Sequence, residues 1–227
     1  TRNSDDISIY YFPDDKTIPY DLGMPLEVFQ CDGCGTIQIP ATPVDYYEEA
    51  IRSPDWDMDP FRRKQYDDFV KKFDLRGKKI MHIDKRPTPD RYDAFLMFNY
   101  LEHFPDPRET LTQIRNNLDG PGVGIIEVPN MDEVIRDRIF GEFIIDHLFY
   151  FTEKTLRFLC ESSGFDVLSI EEIWNGASLS AVVKKRTPIS AVPFKDNQEE
   201  LIRDIDNFVD GFESATIWGA GHQTLMY

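Results

Sequence analysis

Tyr100, Glu102 and His103 follow an uninterrupted apolar run at 94–98 (AFLMF), so a phenol, a carboxyl group and an imidazole stand together at its carboxyl end. Open parallel sheets bind their ligands at that end of their strands. A histidine there titrates near neutrality and can take a proton from carbon next to a carbonyl. A neighbouring carboxylate can orient it, and a tyrosine can polarise the carbonyl oxygen. The triplet also fits a structural role, a histidine hydrogen-bonded at a helix start with Glu102 placed favourably near the helix N-terminus. His147, beside Asp146 and ahead of Tyr150 and Phe151, is either a second group facing that site or a satisfied histidine in an aromatic lid. Cys31 and Cys34, in Cys-x-x-Cys-Gly, supply half of the tetrahedral set that zinc requires. Two small residues in a tight turn, or a redox pair, suit the same spacing. Cys160 lies in a helical pattern and reads as core.

The elements that must position these groups are legible as patterns. Short β-branched and aromatic runs at 7–12, 26–30 and 36–39 read as strands, with the Cys31–Gly35 turn between the last two. Helices are expected at 44–52 and 60–73, the second with Asp59 as cap and Pro60 in its first turn. From 79 onward strands and helices alternate: strands at 79–83, 94–98 and 123–128, and helices at 107–118 and 152–163. Two further strands, 165–174 and 179–185, are separated by the turn signal Asn175-Gly176. This order predicts an α/β fold, a doubly wound and mostly parallel sheet with helices on both faces. The closing hairpin predicts one antiparallel strand at the edge. A Pro-containing connector at 187–193, a helix at 196–212 and a strand at 215–218 running into Gly219-Ala220-Gly221 read as the start of a further α/β unit. That unit stops short of a complete domain.

Composition narrows the function classes. The 227 residues are 41% hydrophobic and 13% aromatic, enough for one core and a small satellite. A net charge of −16 repels phosphate backbones and argues against a nucleic-acid partner. A small anionic ligand needs only a few local cations, and Arg62-Arg63-Lys64 is one candidate, although such runs are usually a solvated helix face. No apolar run approaches the roughly 20 residues that span a bilayer. The polar first residues and the three cysteines point to a reduced, cytoplasmic protein.

Four segments resemble the sugar C-methyltransferase family, whose members methylate nucleotide-linked keto sugars. PLEVFQCDGCGTIQ at 25–38 resembles the second cysteine pair of the family's N-terminal zinc module. YDAFLMFNYLEHFP at 92–105 resembles its strand followed by Tyr-x-Glu-His. DHLFYF at 146–151 resembles its Glu-His-x-x-Tyr-Phe motif. The hairpin at 175–185 and the glycine turn at 219–224 resemble later parts of the family's chain. The resemblance implies a small β-rich zinc module over 1–52, a class I methyltransferase-like domain over 53–186, and the beginning of a C-terminal α/β domain over 187–227. It implies S-adenosyl-L-methionine as methyl donor and structural zinc at Cys31 and Cys34. His103 becomes the base that forms an enolate, with Tyr100 and Glu102 assisting. His147, Asn175, Ser178 and Tyr47 become contacts to a small-molecule nucleotide-sugar substrate. His82, Ile83 and Asn99 border the cofactor by their position at strand ends.

The sequence departs from that family in three places. One cysteine pair is present instead of two, no glycine loop follows the strand at 79–83, and the last domain is short. A stretch of the sheet is missing near 84–92. Because a right-handed crossover ordinarily takes at least about 10–12 residues, the strands at 79–83 and 94–98 are not expected to be parallel neighbours in a continuous chain. Two other readings stay open. One is a methyltransferase acting on oxygen or nitrogen of another small molecule. The other is a non-catalytic nucleotide-sugar-binding protein without the cofactor loop. Oligomeric state is not encoded in any of these patterns.

Overall fold

A computed structural model describes residues 26–40, 60–83, 90–190 and 192–214. The strand expected at 7–12, the helix at 44–52, Tyr47, the strand at 215–218 and the glycine turn after it lie outside the described residues. The chain divides into two units, Thr1–Arg186 and Thr187–Tyr227.

The first unit opens with β1 (Phe29–Gln30) and β2 (Ile37–Gln38), joined by the cysteine turn, with Gly35 at φ 80°. Next come α1 (Pro60–Lys72), β3 (Ile80–His82) and β4 (Tyr92–Phe98). They are followed by α2 (Pro107–Asn117), β5 (Leu118–Pro129), α3 (Met131–Asp137) and β6 (Phe149–Tyr150). The unit ends with α4 (Glu153–Ser162), β7 (Phe165–Ile173) and β8 (Ser178–Lys185). The main sheet has the order β3-β4-β5-β8-β7. β3, β4 and β5 run parallel, and β8 is antiparallel to both β5 and β7. This is the α/β arrangement of class I methyltransferase-like folds.

Two topological expectations are corrected. The reversed strand is β8, which sits between β5 and β7, and the sheet edge is β7. The hairpin closes inward because β8 can pair on both sides, while β7, with few fully buried residues, tolerates an edge. The strands at 79–83 and 94–98 are parallel neighbours after all, in the register Ile80↔Ala94 to His82↔Leu96. The usual crossover length assumes full-length strands. Here β3 is three residues long. The return from the level of Leu96 to that of Tyr92 covers about 13 Å of strand. Residues 84–91 can extend over about 26 Å.

Helices cover both faces. Leu111 and Ile114 of α2, with Leu156 and Cys160 of α4, pack with Phe95, Met97, Ile126 and Val128 on one side. On the other side Phe69 of α1 packs with Ala94, Leu96, Val123 and Ile125. The alternation along β4 and β5 sends successive side chains to opposite cores, as a sheet buried on both faces requires. Gly124 lies against the Phe95 ring, leaving no room for a Cβ. Burial pushes the Cys160 thiol up to about 12, consistent with a packing role.

α1 is fixed to the sheet by a buried charge. Arg62 pairs with Glu127 of β5, which is fully buried, and the Arg62 guanidinium lies 4.1 Å from the Phe98 ring centre. Gln65 Nε2 and Ser180 Oγ also donate to Glu127 Oε1, at 2.5 and 3.2 Å. Arg62 therefore points inward, whereas Lys64 pairs with Asp68 on its own helix, so the basic run does not act as one cluster.

β1, β2 and β6 form a separate three-stranded sheet, all antiparallel. Its side chains Ile39 and Tyr150 pack with Met131 and Val134 of α3. In the second unit α5 (Val192–Val209) begins earlier than the sequence pattern suggests, and it carries no buried residue. Among the described residues, no helix is long and apolar enough to cross a membrane.

Candidate functional site

The site begins where β4 ends. Asn99 takes a left-handed conformation (φ 50°), which breaks the strand, and its backbone N–H donates to the Glu127 carbonyl. Asparagine tolerates that region better than most residues. A short 3₁₀ turn, Leu101–His103, follows. Leu101 and Tyr100 drop into the core and pin the turn, and Asp106 caps α2 through a 2.8 Å bond from the Glu109 N–H, with Pro107 in the first turn.

The second wall is the loop leading into β6. The Tyr150 hydroxyl accepts from Ile144 N and donates to Ile144 O, both at 3.1 Å, which holds the loop against the strand. Burial pushes the Tyr150 hydroxyl up to about 12, so it stays a phenol. Leu148 N donates to Glu102 O at 2.8 Å, joining the loop to the 3₁₀ turn.

These two walls bring Glu102, His103 and His147 together. His103 Nδ1 lies 2.6 Å from the Asp146 carbonyl oxygen. A carbonyl only accepts, so Nδ1 carries the hydrogen, and Nε2 holds the lone pair of the neutral ring. Nε2 lies 3.7 Å from Glu102 Oε1. The Glu102 side chain is 1% exposed, and neither carboxyl oxygen has a hydrogen-bond partner among the described residues. Burial first, and the nearby Asp146 charge second, raise its pKa to about 8, so at neutral pH it is a carboxylic acid. The His103 and His147 rings meet edge-on at 4.8 Å, and Tyr100 approaches His103 at 5.9 Å. Chemically this is a histidine whose neutral form has its tautomer fixed, beside a protonated carboxyl group, a pair that can take a proton from one position and give one to another.

The other sequence-derived residues are placed as follows. Asn175 is exposed and left-handed (φ 57°) in the 3₁₀ turn Trp174–Gly176, and Ser178 is buried opposite Pro129. That turn is held at the end of β5 by Asn130, whose Nδ2 donates to the Gly176 carbonyl at 2.8 Å. His82 is exposed at the end of β3, and Ile83 is buried in the core that contains Phe95 and Met97. Cys31 and Cys34 face a cavity of about 280 Å³ whose walls include Thr36, Arg108, Phe149 and Phe158. The Cys34 thiol is held below its ordinary value, chiefly by its hydrogen bond with Thr36. Sequence reasoning missed the Asp146 carbonyl that sets the His103 tautomer, and the buried Asn130 and Glu127. A backbone carbonyl contact across a loop leaves no trace in residue spacing.

A family model described as a methyltransferase domain matches residues 23–170, more than half of the chain. The chain belongs to the methyltransferase-domain family. No curated protein matches it. Among solved structures it is similar to the N,N-8-amino-8-demethyl-D-riboflavin dimethyltransferase of Streptomyces davawensis, with 18% identity and TM-score 0.37, over 43% of this chain and 31% of that one. It is also similar to the magnesium protoporphyrin IX methyltransferase of Synechocystis PCC 6803, solved with bound SAH, with 13% identity and TM-score 0.35, over 44% and 48%. A SAM-dependent methyltransferase of Methanosarcina mazei matches with 15% identity and TM-score 0.36, over 45% and 65%. The chain thus spans less than two thirds of each of these structures.

The described residues of this methyltransferase-family chain fit S-adenosylmethionine only in part. His82 and Asn99 offer polar side chains at neighbouring strand ends. A close backbone approach to the cofactor needs glycine after the first parallel strand, and the sequence has none from Lys78 to Asp119.

Proposed function

We propose that this chain is an S-adenosylmethionine-dependent methyltransferase, and that its acceptor is a small molecule with an acidic C–H beside a carbonyl, in the finer reading a nucleotide-linked keto sugar methylated on carbon. The observation that carries this is the fixed tautomer of His103. Its Nε2 lone pair is oriented by the Asp146 carbonyl and faces a carboxyl group that has no hydrogen-bond partner among the described residues. His103 takes the carbon-bound proton. Glu102, protonated up to about pH 8, donates a hydrogen bond to the developing enolate oxygen, and Tyr100 stands beside the His103 ring. S-adenosylmethionine, when bound, supplies the methyl group. Further support comes from the convergence of the segments that resemble the sugar C-methyltransferases. The β1–β2 hairpin pairs with β6 through β2, and β6 follows the loop that holds His103. In this reading the protein works in the cytoplasm on a small-molecule partner, without nucleic acid or membrane, and Cys31 and Cys34 hold structural zinc.

The test joins two measurements. Calorimetric titration with S-adenosylmethionine is expected to give one site per chain, and absence of binding at millimolar cofactor would overturn the enzyme reading. Incubation with thymidine-diphosphate-linked 4-keto-6-deoxyglucose in D₂O, followed by NMR, is expected to show exchange of the proton next to the carbonyl. His103→Asn should slow it by about 10²–10⁴-fold. A methyltransferase acting on oxygen or nitrogen gives no such exchange.

The glycine-free stretch from Lys78 to Asp119 favours a second reading, a binding protein that keeps the acceptor site without the cofactor. It predicts keto-sugar nucleotide binding with no cofactor binding.

A further inference from the structure

Glu102, His103 and His147 each present one potential metal-ligand atom, and the three atoms lie within 4.8 Å of one another. We propose that these residues form a zinc-type divalent-cation site with two imidazole ligands, one carboxylate and an open fourth position. Three features point there. The residue types match the His₂Glu set that zinc accepts, and an open position is the habit of accessible zinc centres. The His103 ring already donates Nδ1–H to the Asp146 carbonyl at 2.6 Å, the outer contact that presents Nε2 to an ion. The Glu102 carboxyl is 1% exposed and has no hydrogen-bond partner among the described residues, and a buried carboxylate needs either a proton or a cation.

Two ligand atoms on one tetrahedral zinc stand about 3.4 Å apart. His103 Nε2 and Glu102 Oε1, at 3.7 Å, are close to that spacing. The three ligand atoms lie within 4.8 Å of one another, and zinc would draw the wider separations in by a turn of the His147 ring, which already meets His103 edge-on. The ion would use the same Nε2 lone pair that removes the acceptor proton. Zinc occupancy and base function are therefore mutually exclusive, and the metal switches the base off. This second half rests on the functional reading above, whereas binding itself does not.

The thiol pair offers zinc another place, so the titration uses Cys31→Ser/Cys34→Ser protein, with metal-free chain and zinc followed by calorimetry. One zinc per chain is expected. Adding His147→Ala should weaken binding at least about 10-fold while far-UV circular dichroism shows the fold retained, and Glu102→Gln should weaken it as well. Absence of zinc uptake by the double serine variant, or equal affinity after His147→Ala, overturns the site. The switch is read separately. Zinc-saturated double serine protein should lose the D₂O exchange, and chelation should restore it. Exchange that persists at saturation overturns the switch. If metal-free protein shows no exchange at all, the functional reading fails, and the calorimetry still decides the site.

Discussion

Glu102 and His103 are neighbours in sequence whose side chains also meet, with Oε1 of one 3.7 Å from Nε2 of the other. Adjacent residues in a strand point to opposite faces, and in a regular helix they diverge by about 100°. The 3₁₀ turn Leu101–His103, entered through the left-handed Asn99, bends the chain so that both face one point. The separation exceeds a direct hydrogen bond, so neither group uses up the other's bonding position.

Glu102 should make stability pH-dependent. Its folded pKa of about 8 stands above the ordinary 4.5. Between those values the folded state holds a proton that the unfolded chain releases. The contribution of Glu102 is therefore full below pH 4.5 and is lost progressively as pH rises through 8. Relative to Glu102→Gln, the wild-type chain should lose a few kcal/mol from about pH 5 to about pH 9, measured by urea denaturation at each pH. Parallel profiles for the two proteins would show that Glu102 ionises normally.

Arg62→Ala should be among the most damaging single changes. It leaves the fully buried Glu127 carboxyl group without its cationic partner, and Gln65 and Ser180 are the hydrogen-bond donors that remain to it among the described residues. Breaking one side of a buried ion pair costs about 3–5 kcal/mol. The pair change Arg62→Met/Glu127→Leu should restore much of that loss, because it removes the stranded charge. Chemical denaturation of both variants checks the order.

Much of this architecture is legible in the sequence, and what is not has physical causes. β4, β5, α2 and α4 are long enough for their apolar periodicity to outweigh end effects, and Thr152 and Gly164 mark the limits of α4. α3 escapes notice because Met131–Asp137 is barely two turns long and its cap, Asn130, resembles a loop residue. The position of β8 inside the sheet depends on long-range pairing, which a hairpin signal does not contain. At the site, the Tyr100–His103 triplet and His147 announce themselves by residue type. The partner that gives His103 its tautomer is a main-chain oxygen, which every residue carries.

Gly124→Ala should destabilise the centre of the sheet. A Cβ there would strike the ring of Phe95, itself fully buried and packed 5.8 Å from the Phe165 ring. Neighbouring rings block its retreat, so overpacking should cost about 1–3 kcal/mol. Phe95→Leu in the alanine background should recover part of the loss although each change alone destabilises. That non-additivity, read from Tm values, separates a steric clash from a general aversion of β5 to alanine.

Asn130 joins three elements at the end of β5, and two substitutions should separate its roles. Its Oδ1 accepts from Asp132 N at 3.1 Å and caps α3, while its Nδ2 donates to the Gly176 carbonyl at 2.8 Å. Asn130→Ala removes both and should cost about 2–3 kcal/mol, the sum of a lost cap and a buried carbonyl without a partner. Asn130→Asp keeps the cap acceptor but turns an oxygen toward the Gly176 carbonyl. If capping dominated, aspartate would be nearly harmless, because it caps as well as asparagine. The residue is fully buried, and the bond to Gly176 is what holds the Trp174–Gly176 turn against the strand end. Aspartate should therefore destabilise at least as much as alanine at pH 7, and recover partly in acid when its carboxyl group regains a hydrogen to donate. Urea denaturation of both variants at two pH values reads this directly.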